Sequence, residues 1–207
     1  MDEISKIITD FINQNASSGI LVYNEISLQN ELGLFFKNEG YSVRFERNIS
    51  RYITNRLSSF VKKEIDLIIF KGENEDTSQQ RAAIELKFPR NGQYPEQMRA
   101  FLKDIRFMEQ VASSNIAESC YVLTLVDDKL FYDAKERNAN YPYCFFRGEK
   151  SKIPFNPPLD KNNYNKTQPH SKYYELTWKN LSDNHIVEKP KDTPMYYLLK
   201  ISKNNDE

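Results

Sequence analysis

Apolar residues recur along this chain with two periods, and the switches between them mark out its elements. Over residues 3–13, Ile4, Ile7, Ile8, Phe11 and Ile12 fall at helical spacing and predict a short amphipathic helix. A second helix is predicted from about 24 to 38, where Ile26, Leu28, Leu32, Phe35 and Phe36 recur and Gly40 is placed to end it. Residues 41–49 alternate apolar and polar, as a strand does. Two short apolar strands follow, EIDLIIF over 64–70 and RAAIELKF over 81–88, joined by the polar turn KGENEDTSQQ. The segment PRNGQYP punctuates the chain, and a long helix from about 95 to 113 carries Met98, Phe101, Leu102, Ile105, Met108 and Val111. Residues 121–126 (YVLTLV) form a near-continuous apolar run, typical of a strand covered on both faces. The order predicts an α/β core.

After about Tyr132 the periodicity loosens. Residues 147–172 are rich in Lys, Asn and Pro, so the expectation is one domain over 1–207 with a long loop or insertion at about 133–172. Two late strands are predicted at YYELTW (173–178) and MYYLLKI (195–201). Trp178 is expected in the core, with stacking on a base as its functional alternative.

Charge narrows the picture. The 207 residues carry 29 basic and 29 acidic side chains, so the formal net charge is zero. That excludes a global positive field, and any nucleic-acid surface must be local. The best local patch gathers Arg44, Arg47, Arg51 and Arg56 with Tyr41 and Tyr52; a solvated strand edge and loop explains it equally well. Cys120 and Cys144 fit no metal-ligand spacing, and Cys120 reads as a buried free thiol. Without a disulfide framework, signal-peptide pattern or long apolar span, the expectation is a cytoplasmic protein with no membrane partner.

The chemistry lies in the two central strands. An Asp inside EIDLIIF and a Glu inside AAIELKF are costly to bury unless paired or bound to metal. Paired as a hairpin, these strands would set Asp66 beside Glu85 near one end. Two converging carboxylates suit Mg²⁺ or Mn²⁺, which prefers carboxylates, a carbonyl and waters. Lys87, two residues beyond Glu85, shares its face and could stabilise charge on an attacking water or phosphate. A lone E-x-K on a strand is common, and a buried ion pair is its bland explanation. The combination of carboxylate strand, 18 intervening residues and carboxylate-x-Lys strand is far less common.

That combination, E-I-D-L-I-I-F … A-I-E-L-K-F, resembles the core of the PD-(D/E)xK, or restriction-endonuclease-like, nucleases. Ile65 stands where the motif name has Pro. The resemblance implies a central mixed β-sheet flanked by helices, and Mg²⁺-dependent cleavage of nucleic acid, most simply DNA. It assigns Asp66 and Glu85 to the metal and Lys87 to catalysis. It also implies a further acidic residue from the preceding helix: Glu25 is favoured and Glu31 is the alternative. Arg47, Arg51 and Arg56 would be weak nucleic-acid contacts, and a homodimer is compatible because many relatives pair to cut both strands. An inactive binding module retaining the fold is the rival from another class. Gln97, Lys103 and Asp104 lie on the long helix, where related nucleases place phosphate-contacting or structural polar groups, but a surface or helix-pairing role is the favoured reading; His170 and His185 receive no role.

Overall fold

The computed structural model describes residues 2–14, 18–53, 59–75, 81–90, 92–136, 143–154, 173–181 and 186–202. Helix α1 (Glu3–Ile12) starts where the Asp2 side chain accepts the Ser5 N–H, and it buries Ile7, Ile8, Phe11 and Ile12. Helix α2 (Glu25–Asn38) opens with a reciprocal cap between Asn24 and Ser27, and Gly40 follows it at φ +83°. The strands are β1 (Ser42–Asn48), β2 (Glu64–Phe70) and β3 (Arg81–Lys87). Helix α3 (Tyr94–Ser113) then leads to β4 (Ser119–Val126).

The region expected as loop holds more structure than its composition suggests. Short 3₁₀ turns cover Ala134–Glu136 and Cys144–Phe146, and β5 (Lys150–Ile153) pairs antiparallel with β6 (Tyr174–Thr177). Burial alternates along β5, with Ser151 and Ile153 inward, but four residues are too short for that alternation to stand out in a lysine-rich sequence. Strand β7 (Lys179–Asn180) and strand β8 (Met195–Ile201) complete the set.

Six strands make one mixed sheet in the order β1-β2-β3-β4-β8-β7, and only β3 and β4 run parallel. Helix α3 is the crossover between that parallel pair, as parallel strands require. Strand alternation divides the core by face. Leu67, Ile84, Leu86 and Leu123 pack with α1 and α2, while Ile68, Ala83, Cys120 and Val122 pack with α3. The sheet is therefore covered on both sides, as the apolar run in β4 predicts. Trp178 is buried beside Tyr197 and donates its indole N–H to the Phe146 carbonyl at 2.7 Å, so packing rather than stacking describes it. Cys120 is buried and free, with its thiol pushed up to about 12 by desolvation. Among the described residues, no helix is long and apolar enough to cross a membrane.

Candidate active site

Asp66 sits where the sheet opens. Strand β2 pairs with β1 on either side of it, through Phe45↔Leu67 and Arg47↔Ile65, while Glu46 opposite adopts φ +49° and leaves the ladder. On the other side, the β2–β3 register stops at Leu67↔Ile84, one position short of Asp66 and Glu85. Side chains take over the backbone partners lost there. The Asp66 N–H donates to Glu85 Oε1 at 3.3 Å, and the Asp66 carbonyl accepts Gln29 Nε2 at 2.9 Å. In return the Asp66 carboxylate accepts the Leu86 N–H at 2.7 Å. A buried backbone group without a partner costs about as much as a lost hydrogen bond, so this exchange is what permits the strands to part. Gln29 itself is held by Glu46 at 2.6 Å.

Into this gap come two lysines and two more carboxylates. Glu85 is fully buried and ion-paired with Lys62, which also donates to Asp104 Oδ1 at 3.0 Å. Lys87 reaches Glu25 at 3.0 Å and lies 3.8 Å from Asp104 Oδ2. Glu25 also accepts the Phe88 N–H at 3.2 Å from the first turn of α2, where the helix dipole favours an anion. Burial, opposed by the Lys62 ammonium and the Leu86 N–H, pushes the Asp66 carboxyl up to about 6. Burial raises Glu85 well above an ordinary carboxylate, with Asp66 and Asp104 adding repulsion and Lys62 offsetting part of it. For the lysines burial acts the other way, yet the surrounding carboxylates prevail and raise both Lys62 and Lys87. Both are therefore ammonium ions at neutral pH.

The candidates read from the chain fare unevenly. Asp66, Glu85, Lys87 and Glu25 come together through the contacts above. No hydrogen bond or ion pair joins Glu31 to them among the described residues. Arg47 and Arg51 are not free cations on a strand edge. Arg47 grips Glu75 at 2.6 Å, Arg44 and Arg51 lie 3.6 and 3.9 Å from the same carboxylate, and Tyr52 donates its hydroxyl to it. Glu75 is 3% exposed, so the turn expected to be solvated buries one carboxylate while Glu73 beside it stays exposed. Arg56, His170 and His185 lie outside the described residues.

Asp104 needs a correction. Read as a surface or helix-pairing group, it is 2% exposed and faces the site. Its signal was present, because it falls within the apolar stripe of α3 between Phe101 and Ile105. Lys62 had no such signal: Lys62 and Lys63 are adjacent, and nothing local says which one turns inward.

The donor set is all oxygen with two ammonium groups beside it, the chemistry of a hard divalent cation and a phosphate. One buried oxygen, Asp104 Oδ2, has no hydrogen-bond partner. With Lys62 seated between Glu85 and Asp104, no group of three or more His, Cys, Asp or Glu side chains among the described residues is arranged to hold a metal ion. Asp66 and Glu85 supply hard oxygen donors of the kind such an ion takes. The chain matches no family model, no curated protein and no solved structure.

Proposed function

We propose that this chain is a divalent-metal-dependent nuclease of the PD-(D/E)xK, restriction-endonuclease-like kind, hydrolysing phosphodiester bonds of nucleic acid, with DNA the favoured substrate. The observation that carries the reading is the break in the sheet at Asp66. The backbone leaves both ladders there, and Asp66, Glu85 and Lys87 are among the charged side chains gathered at the opening. A purely structural sheet has no reason to sacrifice this pairing.

Asp66 and Glu85 would hold Mg²⁺ or Mn²⁺, which when bound polarises the phosphoryl group and acidifies a water. Lys87 stays protonated, so it serves as a fixed positive charge beside the attacking water and phosphate and does not accept a proton. Glu25 aims that ammonium by accepting from it while anchored to the Phe88 N–H. Gln29 fixes the backbone from which Asp66 projects. In the reaction the water oxygen bonds to phosphorus as one P–O ester bond breaks, leaving a phosphate monoester and a hydroxyl.

The test is cleavage of linear, nicked, branched and single-stranded DNA and of RNA, with and without Mg²⁺ or Mn²⁺. Metal-dependent products that vanish in Glu85→Ala support the reading; no cleavage of any form sinks it. A second reading, a binding module that keeps the fold without catalysis, draws on Lys62 filling the space between Glu85 and Asp104. Calorimetry separates the two: a binding module shows no Mg²⁺ or Mn²⁺ site that disappears in Asp66→Ala.

A further inference from the structure

We propose that Asp104 is a third carboxylate ligand of the divalent cation, and that the Lys62 ammonium holds the same seat until that cation arrives. The inference rests on the nuclease reading of this site and adds to it a residue and a competition.

The seat is defined by what Lys62 touches. Its Nζ bridges Glu85 Oε2 and Asp104 Oδ1, so another cation drawn to these same two oxygens must take its place. An ammonium is a compact cation that satisfies oxygen donors much as a metal ion does, without ordered coordination. Two cations cannot occupy one position between the same carboxylates.

Asp104 supplies the independent observation. The residue is 2% exposed, one oxygen is on Lys62, and the other has no hydrogen-bond partner, with the Lys87 ammonium 3.8 Å from it. Buried carboxylate oxygens are ordinarily satisfied. That open oxygen, on a helix that packs on β3 and β4, leaves Asp104 with donor capacity for a cation that replaces the ammonium. The neighbouring ground is polar as well. Thr124 lies beside Lys87 in the β3–β4 register and opposite Tyr197 in β8, and neither hydroxyl closes a short hydrogen bond. That leaves polar partners for water around an ion.

Lys62 can leave. It precedes β2 outside any helix or strand, and its side chain is 27% exposed while those of Glu85 and Asp104 are at most 3% exposed. The long lysine stem permits the ammonium to swing to solvent while both carboxylates stay where strand and helix hold them.

The test uses the full wild-type chain with Mn²⁺ alone as probe. Mn²⁺ binding is measured by calorimetry, and labelling of each lysine by an amine-reactive acetylating reagent is quantified by mass spectrometry with and without the ion. Expected is a severalfold rise in Lys62 labelling on Mn²⁺ addition, with Lys189, 90% exposed, as the unchanged reference. In Asp104→Asn, Mn²⁺ affinity should fall about tenfold or more while thermal melting stays cooperative. In Lys62→Met, affinity should rise; if that variant does not fold, the labelling and Asp104→Asn still decide. Binding of Mn²⁺ with Lys62 still protected, or with Asp104→Asn at wild-type affinity, overturns this inference alone. Absence of any Mn²⁺ or Mg²⁺ binding by the wild type overturns it together with the nuclease reading.

Discussion

The Asp66 carboxylate accepts the backbone N–H of Leu86 at 2.7 Å across the gap where β2 and β3 part. One side chain thereby does two things: it replaces a ladder hydrogen bond and it is held, by that bond, beside Glu85.

Stability of the metal-free chain should record the strained ionisation of Asp66. Its folded-state value of about 6 lies above the ordinary 3.8, so folding favours the protonated form. The group's contribution is therefore best below pH 3.8 and is lost as pH rises through about 6. Asp66→Asn removes this loss while leaving an oxygen for the Leu86 N–H. Urea unfolding at pH 7 should find the variant more stable by up to roughly 3 kcal/mol, with the gap closing by pH 4. A gap independent of pH would show that Asp66 is not the group responsible.

Lys87 should matter to rate more than to metal binding. Lys87→Met keeps the stem and removes the charge, and cleavage should slow by about 10²–10³-fold, as for loss of one preorganised electrostatic contact. Mn²⁺ affinity measured by calorimetry should change little. A variant that cleaves at the wild-type rate would remove Lys87 from the mechanism.

Gln29 carries the same logic to the backbone. Gln29→Ala leaves the Asp66 carbonyl without its side-chain donor, which should cost about 1–2 kcal/mol in chemical denaturation. Cleavage per folded molecule should also drop, because the strand end bearing Asp66 is less well held. Unchanged stability and rate together would argue that water replaces the amide without consequence.

Glu75 should behave as a structural clasp. Glu75→Ala strands Arg47 and Tyr52 without their shared acceptor and should lower stability by roughly 2 kcal/mol or more. Burial alone would raise this carboxyl, but Arg47 and Tyr52 hold it below its ordinary value, so its contribution is present above pH 4.5 and fades as the solution is acidified. A melting temperature unchanged at pH 7 would contradict this.

How much of this was readable along the chain depends on the length of each pattern. Helices α1, α2 and α3 and strands β1 to β4 repeat their period for seven residues or more, and the expected boundaries agree with the observed ones within a residue or two. Strands β5 and β7 are too short to show a period, and their partners are not adjacent to them in the chain. The site divides the same way. Asp66, Glu85 and Lys87 were visible because a charge inside an apolar strand is anomalous. Which of Glu25 and Glu31 meets Lys87 depends on the face of α2 turned to β3, and the contact is made by Glu25. The arginines were visible as a patch, but their convergence on Glu75 depends on contacts 24 to 31 residues away, which no local pattern encodes.

The ion pairs of Lys62 also bear on the order of assembly. A chain that must bury Glu85 and Asp104 between strand and helix would stall if their charges had to wait for an ion from outside. Lys62 supplies the compensating charge from the chain itself, so on the proposed function the sheet would close first and load its ion afterwards. In small metal-folded domains chelation is equivalent to unfolding. Here stripping the ion with a chelator should leave the helical content intact, and the protein should survive periods of metal scarcity as a folded, idle molecule.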